Sequence, residues 1–386
     1  MIYLDNAASS PVNEQVLQEM IPFLKENFGN PSSIHKLGRI SHKAIQNARK
    51  QIAQLINAEP KEILLTSGGT ESNNTALFGM AHSNQGNHIV TSSIEHEAIL
   101  EPCKKLEQEG FDITFVKVDD TGLINPADIR KSITSKTCLV SIMFANNEVG
   151  TIQPIQEISK ICHENDISFH TDAVQAVGKV ELDVKSLGID LLSISSHKIN
   201  GPKGVGALYI KNGIEINPFI YGGGQENGLR SGTENVASIV GFGKACQLAR
   251  DNLNKNISEM ENLRNMLINK ITTEIPKVNV NGNQDHRIPN NAHFTFLGVN
   301  GEDLIIKLDE NGIAASTGSA CSVKVQKESH VLKAMGFSHD QINGSLRLTL
   351  GTTNTESEIE KTIEILKKVV KELRAFSPLK NKYDFN

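Results

Sequence analysis

The stretch FHTDAVQAVGKVELDVKSLGIDLLSISSHKINGPKGVGALYI, residues 169–210, decides the fold. Apolar runs in and just before it predict three strands: ISFHT (167–171), LLSIS (191–195) and GALYI (206–210). Asp172 follows the first run and Lys198 follows the second. Because ligands of open α/β sheets bind at the carboxyl ends of strands, both side chains are candidate ligand contacts.

The same pattern extends upstream of this stretch. Four more apolar runs predict strands: EILLT (62–66), HIVTS (88–92), ITFVKV (113–118) and CLVSIM (138–143). Segments with helical spacing, such as IQEISKICHEN, separate several of the runs. The alternation predicts an α/β fold in which helices cover a mostly parallel central sheet.

The rest of the chain predicts a smaller α+β domain. Residues 233–275 contain few breakers and carry apolar residues three or four apart, which predicts a long helix. From about Lys277 a strand, a helix, a second strand and a closing amphipathic helix follow: AHFTFLG, GEDLIIKLDENG, SLRLTL and the segment from Ser357. We place the large domain at 15–260 and the small domain at 1–14 and 261–386.

Composition excludes several classes of protein. The 386 residues carry a net charge of −5 without a long basic run, so direct nucleic-acid binding is not expected. The sequence has no signal-peptide pattern and no apolar run long enough to span a bilayer, so no membrane association is expected. The five cysteines are odd in number and lack CxxC spacing, which argues against disulfides or a protein-built metal site and indicates the cytoplasm.

The segment LLTSGGTESNN (64–74) predicts a strand, a Gly-Gly turn and a helix start. Unpaired backbone N–H groups and the helix dipole favour an anion at such a position. Gly69 and its neighbour Gly68 let an anion approach the backbone, and Thr70 adds a hydroxyl. The alternative is a plain capped helix, with Thr70 as the N-cap and nothing bound.

Three features together indicate pyridoxal phosphate (PLP). A PLP site needs a lysine for a Schiff base, an acid to keep the pyridine nitrogen protonated and a cradle for the phosphate. Lys198 lies 26 residues after Asp172, and Gln175 lies one helical turn beyond that acid. Taken singly, Asp172 could be a helix cap and Lys198 a surface charge.

The motifs, in order along the chain, resemble those of the cysteine desulfurases, specifically the NifS/IscS-like group I within the class-V aminotransferase superfamily. They are YLDNAASSP, GNPSSIHKLG, TSGGTESNN, SSIEHEAI, ANNEVGTIQPI, HTDAVQAVGK, SSHKINGPKGVGALY, RSGTEN and STGSACS. The resemblance implies a PLP-dependent homodimer of fold type I that converts L-cysteine to alanine. It also implies a sulfur acceptor, either an iron–sulfur scaffold or a tRNA-thiolation protein.

The resemblance also implies residue roles. Lys198 would hold PLP, Asp172 would pair with the pyridinium nitrogen, Gln175 would contact the ring hydroxyl, and His96 would stack on the ring and help to move protons. The phosphate would be held by Gly69, Thr70, Ser195, His197 and, from a neighbouring subunit, Thr233. Asn147 would contact the cofactor and, together with Arg347, the substrate carboxylate. Read alone, His96 is typical of a helix start, Asn147 of a turn and Arg347 of a solvent-facing strand position.

Cys321 would attack the substrate sulfur. It lies in AASTGSACSVKVQKES, whose small and polar residues predict an exposed loop, and Lys324 and Lys327 could favour its thiolate. No resident metal is expected, although Cys321 could transiently ligate a nascent iron–sulfur cluster. The other four cysteines are expected to be inert core residues: Cys103, Cys138, Cys162 and Cys246.

Two other functions are consistent with parts of this sequence. A class-V aminotransferase or a selenocysteine lyase would keep the fold but has no evident need of the GSAC loop. A catalytically inactive binding module would be expected to have lost Lys198, Asp172 or Cys321, and the chain retains all three. The tail after SPL departs from the family pattern, which leaves the docking of an acceptor open.

Overall fold

The computed structural model describes residues 1–84, 86–318 and 328–377. The strands are β1 (Ile2–Tyr3), β2 (Ile63–Thr66), β3 (His88–Ser92), β4 (Asp112–Val116), β5 (Thr137–Ser141), β6 (Ser168–Asp172), β7 (Leu191–Ser195), β8 (Gly206–Ile210), β9 (Val278–Asn281), β10 (Asn291–Phe296), β11 (Ile313–Ala314) and β12 (Ser345–Thr349). The α-helices are α1 (Glu14–Lys25), α2 (Lys36–Leu55), α3 (Gly69–Ser83), α4 (Glu97–Gln108), α5 (Pro126–Ser132), α6 (Ile155–His163), α7 (Val236–Asp251), α8 (Leu253–Glu274), α9 (Gly301–Glu310), α10 (His330–Ala334), α11 (His339–Asn343) and α12 (Glu356–Ala375).

A seven-stranded sheet in the order β2-β8-β7-β6-β5-β3-β4 forms the centre. All neighbouring pairs are parallel except the two that β8 makes with β2 and β7. Strands β3, β5, β6 and β7 are almost entirely buried, which explains why their sequences are continuous apolar runs rather than alternating ones. The predicted mostly parallel α/β sheet is therefore confirmed.

The antiparallel strand β8 brings the lysine motif to the carboxyl edge of the sheet. Ser195 at the end of β7 pairs with Gly206 at the start of β8, so residues 196–205 leave and re-enter the sheet at this one edge. The residues Ser196–Lys198 form a single 3-10 turn there. Lys198 thus lies at the same edge as the end of β6, where the chain carries Asp172.

Two glycines permit a close approach at the same edge. Gly68 precedes α3 with φ of +151°, which side chains rarely adopt. A Cβ on Gly206 would lie 2.7 Å from the Cα of Gly68. The Gly-Gly turn and the lysine connection can therefore pack backbone against backbone.

The predicted long helix is in fact two helices, and that part of the prediction is wrong. Helices α7 and α8 separate at Asn252, whose φ of −115° and ψ of 12° are not helical. Its side chain donates to the carbonyl of Leu248 and closes α7. Apolar spacing continues on both sides of Asn252, so the pattern alone could not reveal the break.

The small sheet has the order β12-β10-β9 and is antiparallel. Its core includes residues of α8, α9 and α12 and forms an apolar cluster separate from that of the central sheet. The N-terminal strand β1 pairs with β11 beside this sheet, a parallel contact that the sequence did not predict. The domain division at residues 15 and 260 stays a prediction. No helix within the described ranges is long and apolar enough to cross a bilayer.

Candidate active site

A cavity of about 510 Å³ opens at the carboxyl edge of the central sheet, beside the small sheet. It brings together ten of the residues predicted from the sequence: Gly69, Thr70, His96, Asn147, Asp172, Gln175, Ser195, His197, Lys198 and Arg347. Thr233 is exposed and lies outside the cavity lining. Cys321, Lys324 and Lys327 lie outside the described residues.

The N-terminal segment crosses the cavity and fixes the lysine. The Nζ of Lys198 donates to the carbonyl oxygens of Ala7 and Ala8, at 2.5 and 2.8 Å. The Nε2 of Gln175 donates to the same Ala7 carbonyl, at 3.0 Å. One backbone carbonyl therefore holds both side chains in place. Ala7 and Ala8 act through their backbone, so no residue type in the sequence could have revealed this contact.

Asp172 ends β6 with its carboxylate held by two donors. The Nδ2 of Asn73 donates to Oδ2 at 2.7 Å, and the backbone N–H of Val174 donates to Oδ1 at 3.0 Å. Sequence reasoning missed Asn73, although it lies four residues after Gly69 and therefore on the same face of α3. The Oε1 of Gln175 is buried and has no partner among the described residues.

The N-terminus of α3 offers a cradle for an anion. The N-cap is Gly68 and makes no side-chain cap bond, so the alternative with Thr70 as N-cap is wrong. A Cβ on Gly69 would lie 2.8 Å from Cγ2 of Val174, so only glycine fits between the turn and the segment after β6. The helix has 15 residues, enough for an N-terminal dipole that attracts an anion.

His197 lies beside the lysine. Burial, reinforced by the positive charge of Lys198, lowers the pKa of His197 to about 4, so its ring is neutral at physiological pH. Its Nδ1 lies 3.3 Å from the hydroxyl of Ser9. A neutral imidazole at this place can donate one hydrogen bond without adding a second cation next to Lys198.

His96 is the N-cap of α4, and it also lines the cavity. The backbone N–H of Ala98 donates to its Nδ1 at 3.0 Å. An accepting Nδ1 carries no proton, so neutral His96 has its proton on Nε2. Burial lowers the pKa of His96 and outweighs the opposing charge of Asp172. The helix-start and cavity interpretations therefore describe the same side chain.

Arg347 is only 2% exposed, so the solvent-facing alternative is wrong. Its Nη1 donates to the carbonyl oxygens of Asn147 and Gly318, at 2.9 and 3.1 Å. Its Nη2 donates to Asp5 Oδ1 at 2.8 Å, and sequence reasoning missed Asp5. The Nε is buried without a partner among the described residues, which leaves a donor for a ligand carboxylate.

The described cysteines do not suit nucleophilic chemistry. All four are buried: Cys103, Cys138, Cys162 and Cys246. Burial raises the pKa of Cys103 and of Cys162 to about 12 and also raises that of the others, so none is a thiolate at neutral pH. Within the described ranges no cluster of three or more His, Cys, Asp or Glu residues could hold a metal ion.

These residues fit PLP. The unpartnered Oε1 of Gln175 can accept a hydrogen bond from a ring hydroxyl, and the fixed Asp172 carboxylate can pair with a protonated ring nitrogen. The absence of a side chain at Gly69 would let a phosphate approach the backbone at the start of α3. A strand-end acid, a fixed lysine and an anion cradle define the class of cofactor-dependent α/β enzymes.

The chain belongs to the class-V aminotransferase family, whose sequence model matches residues 2–362. It is 50% identical to a protein of Clostridium botulinum named cysteine desulfurase IscS, covering 99% of this chain and 97% of that one. A protein of Dictyoglomus turgidum with the same name is also 50% identical, covering 100% of this chain and 98% of that one. The resemblance predicted from the motifs is confirmed.

Solved structures agree with this family. A NifS-like protein superimposes with a TM-score of 0.91 at 36% identity, covering 96% of this chain and 99% of that chain. A structure described as SspA in complex with cysteine gives a TM-score of 0.82 at 37% identity, covering 92% and 100%. The family is PLP-dependent, and the predicted fold type is confirmed.

Proposed function

We propose that this protein is a PLP-dependent cysteine desulfurase that converts L-cysteine to L-alanine and takes the sulfur as a persulfide on Cys321. The observation that carries the proposal is that one cavity is lined by Lys198, Asp172 and the buried guanidinium of Arg347. The chain is also 50% identical to proteins named cysteine desulfurase. When bound, PLP supplies an electron sink for negative charge that develops on the substrate.

The strand ends would hold the cofactor. Lys198 would carry it covalently, Asp172 would pair with the ring nitrogen, and Gln175 would accept from the ring hydroxyl through Oε1. The phosphate would be held by Gly69, Thr70, Ser195 and His197, together with the N–H groups at the start of α3. What supports these roles is that Lys198, Asp172 and Gln175 are already fixed by neighbours, so little ordering entropy of these side chains is lost on binding.

The substrate carboxylate would be received by Arg347 and Asn147. The Nε of Arg347 would donate to it, while Asp5 and two backbone carbonyls keep the guanidinium in position. His96 would lie against the cofactor ring and present Nε2–H as a donor. Lys198, once released from the cofactor, would carry protons to and from the substrate.

Sulfur transfer would use Cys321. Its thiolate attacks the substrate sulfur, the bond between that sulfur and the substrate Cβ breaks, and a proton adds to Cβ to give alanine. The persulfide then passes to an acceptor, an iron–sulfur scaffold or a tRNA-thiolation protein, in the cytoplasm. Cys321 could also ligate a nascent iron–sulfur cluster for a short time.

The enzyme would act as a homodimer with shared sites. Thr233 is exposed away from the cavity, as expected if it serves the phosphate of a second subunit across a two-fold axis. Several large apolar side chains are also exposed, among them Phe28 at 72%, Ile34 at 91% and Tyr221 at 79%. Light scattering should give twice the 42.1 kDa mass of one chain, and a fully active monomer would contradict the dimer.

The variant Cys321→Ser tests the proposed reaction. It should bind PLP and still change its visible absorbance when L-cysteine is added, because those stages need only the cavity. Alanine production should fall by orders of magnitude, since a serine hydroxyl without a dedicated base is a poor nucleophile. Cys138→Ala is a matched control and should retain turnover. Wild-type turnover in Cys321→Ser would contradict the proposal.

A further inference from the structure

A third histidine lines the cavity beside His96 and His197, and the sequence motifs gave it no role. His330 is the first residue of α10, and its ring lies in the cavity wall with His96. Its Nε2 lies 2.9 Å from the backbone carbonyl oxygen of Glu95. This contact joins residues 235 positions apart, so it is a product of the fold and not of local sequence.

His96 and His330 use opposite ring nitrogens for their backbone hydrogen bonds. A carbonyl oxygen only accepts, so Nε2 of His330 must donate, and the neutral ring keeps its lone pair on Nδ1. His96 has the reverse arrangement, because its Nδ1 accepts from Ala98 N–H and its proton is on Nε2. His96 therefore offers a donor, whereas His330 offers an acceptor.

His330 is held by a buried frame. The hydroxyl of the preceding Ser329 donates to Oε2 of Glu148 at 2.5 Å and accepts from Leu332 N–H at 3.1 Å. Glu148 is only 3% exposed, and its own backbone N–H donates to Oδ1 of Asn146 at 2.9 Å. The ring position is therefore set before any ligand enters.

The acidic side chains near His330 have protons or partners of their own. Burial raises the pKa of the Glu95 carboxyl to about 8, so this neighbour is protonated at neutral pH. Burial also raises the pKa of the Glu148 carboxyl. Glu328 is exposed and pairs with His339.

An amino acid in this cavity would meet three kinds of contact. Its carboxylate would bind Arg347, and its amine would bind the cofactor held by Lys198. Lys198 is held by the carbonyls of Ala7 and Ala8, and Arg347 by Asp5 and the carbonyls of Asn147 and Gly318. His330 is held by the carbonyl of Glu95. Nδ1 of His330 is then the acceptor that we assign to the remaining group of the substrate, its side chain.

We propose that His330 is a specificity-determining residue whose Nδ1 accepts a hydrogen bond from the thiol of bound L-cysteine. The inference rests on the proposed function and names how the same cavity would select a thiol-bearing side chain. A methyl side chain such as that of alanine offers no donor, so it would gain nothing from His330.

Ligand binding without turnover tests this inference. In the Cys321→Ser background, visible absorbance is titrated with L-cysteine and, separately, with L-alanine. His330→Leu should weaken L-cysteine by about three- to ten-fold, the value of one neutral hydrogen bond, and leave L-alanine within about two-fold. His330→Gln keeps an accepting oxygen and should restore most of the difference. His286→Gln changes an exposed histidine and should alter neither affinity.

The outcomes are distinct. Equal weakening of both amino acids by His330→Leu and by His330→Gln would overturn the inference and leave His330 as a structural residue. Unchanged affinity for both would also overturn it, because the thiol would then lie elsewhere. Absence of any absorbance change with either amino acid while His330 is intact would count against the proposed function itself.

Discussion

Two walls of the cavity are built by different kinds of contact. The cofactor wall consists of Gly69, Asp172, Gln175 and Lys198, which lie at the carboxyl edge of one sheet. The substrate wall consists of Asn147, Glu148, Ser329, His330 and Arg347, which come from separate parts of the chain. Asp172 is fixed in part by Val174, two residues away, whereas Arg347 is fixed by Asp5, 342 residues away.

The two walls control different properties of the site. The cofactor wall rests on the continuous core of the central sheet, so its geometry persists as long as that sheet is folded. The substrate wall exists only where the N-terminal segment, the turn after β5, α10 and β12 meet. Changes in the first wall should abolish cofactor chemistry, whereas changes in the second should alter substrate affinity and leave the cofactor bound.

Lys198→Ala should give the largest effect. Without the amine the cofactor loses its covalent anchor and the substrate loses a proton carrier, so turnover should fall by at least about a thousand-fold. The visible band of the bound cofactor should also be lost, and borohydride should fix no cofactor to the chain. Lys185→Ala removes an exposed lysine and should change neither property. Cofactor trapped on another lysine would break the assignment.

Arg347→Lys should mainly weaken substrate binding. A lysine keeps the charge but has no counterpart of Nε, the donor left for the substrate carboxylate, so KM for L-cysteine should rise about ten- to hundred-fold. Cofactor content measured by absorbance should stay near that of the wild type. Arg250→Lys, at an exposed position, serves as the control. Loss of cofactor with unchanged KM would show that the two walls are not separable.

Asp5→Asn should give a smaller effect on the same wall. The amide keeps an acceptor for Nη2 of Arg347 but removes the charge, so KM should rise only a few-fold, in line with a partly exposed ion pair. Steady-state kinetics at low and high salt would measure it. A kcat that falls while KM stays constant would contradict a role of Asp5 in positioning Arg347.

Glu95→Gln should change stability, not chemistry. Burial raises the pKa of this carboxyl from 4.5 to about 8, so the folded protein holds a proton that the unfolded chain releases. The free energy of unfolding should therefore fall as pH rises from about 4.5 to 8, by at most about 1.4 kcal/mol per pH unit. Glu95→Gln should flatten this slope in urea titrations, and Glu107→Gln on the exposed face of α4 should not. An unchanged slope would mean that Glu95 is ionised.

The sequence predicted the cofactor wall well because its chemistry follows strand ends. The apolar runs marked the strands, and every functional residue of that wall came within a few residues of one. The partners on the substrate wall could not be predicted, because a bond such as Ser329 to Glu148 joins segments 181 residues apart. Likewise, Arg347 alternates with apolar neighbours in β12, which is typical of a strand with one exposed face. In the folded structure both faces of that strand are buried.

The most direct test is the mass of the peptide that contains Cys321 after wild-type protein is mixed with L-cysteine in the absence of reductant. One additional sulfur, about 32 Da, should appear on that peptide, and alanine should form in equal amount. Peptides that contain Cys103, Cys162 or Cys246 should stay unmodified, since those thiols are buried. Alanine formed with no added mass on the Cys321 peptide would contradict sulfur transfer through Cys321.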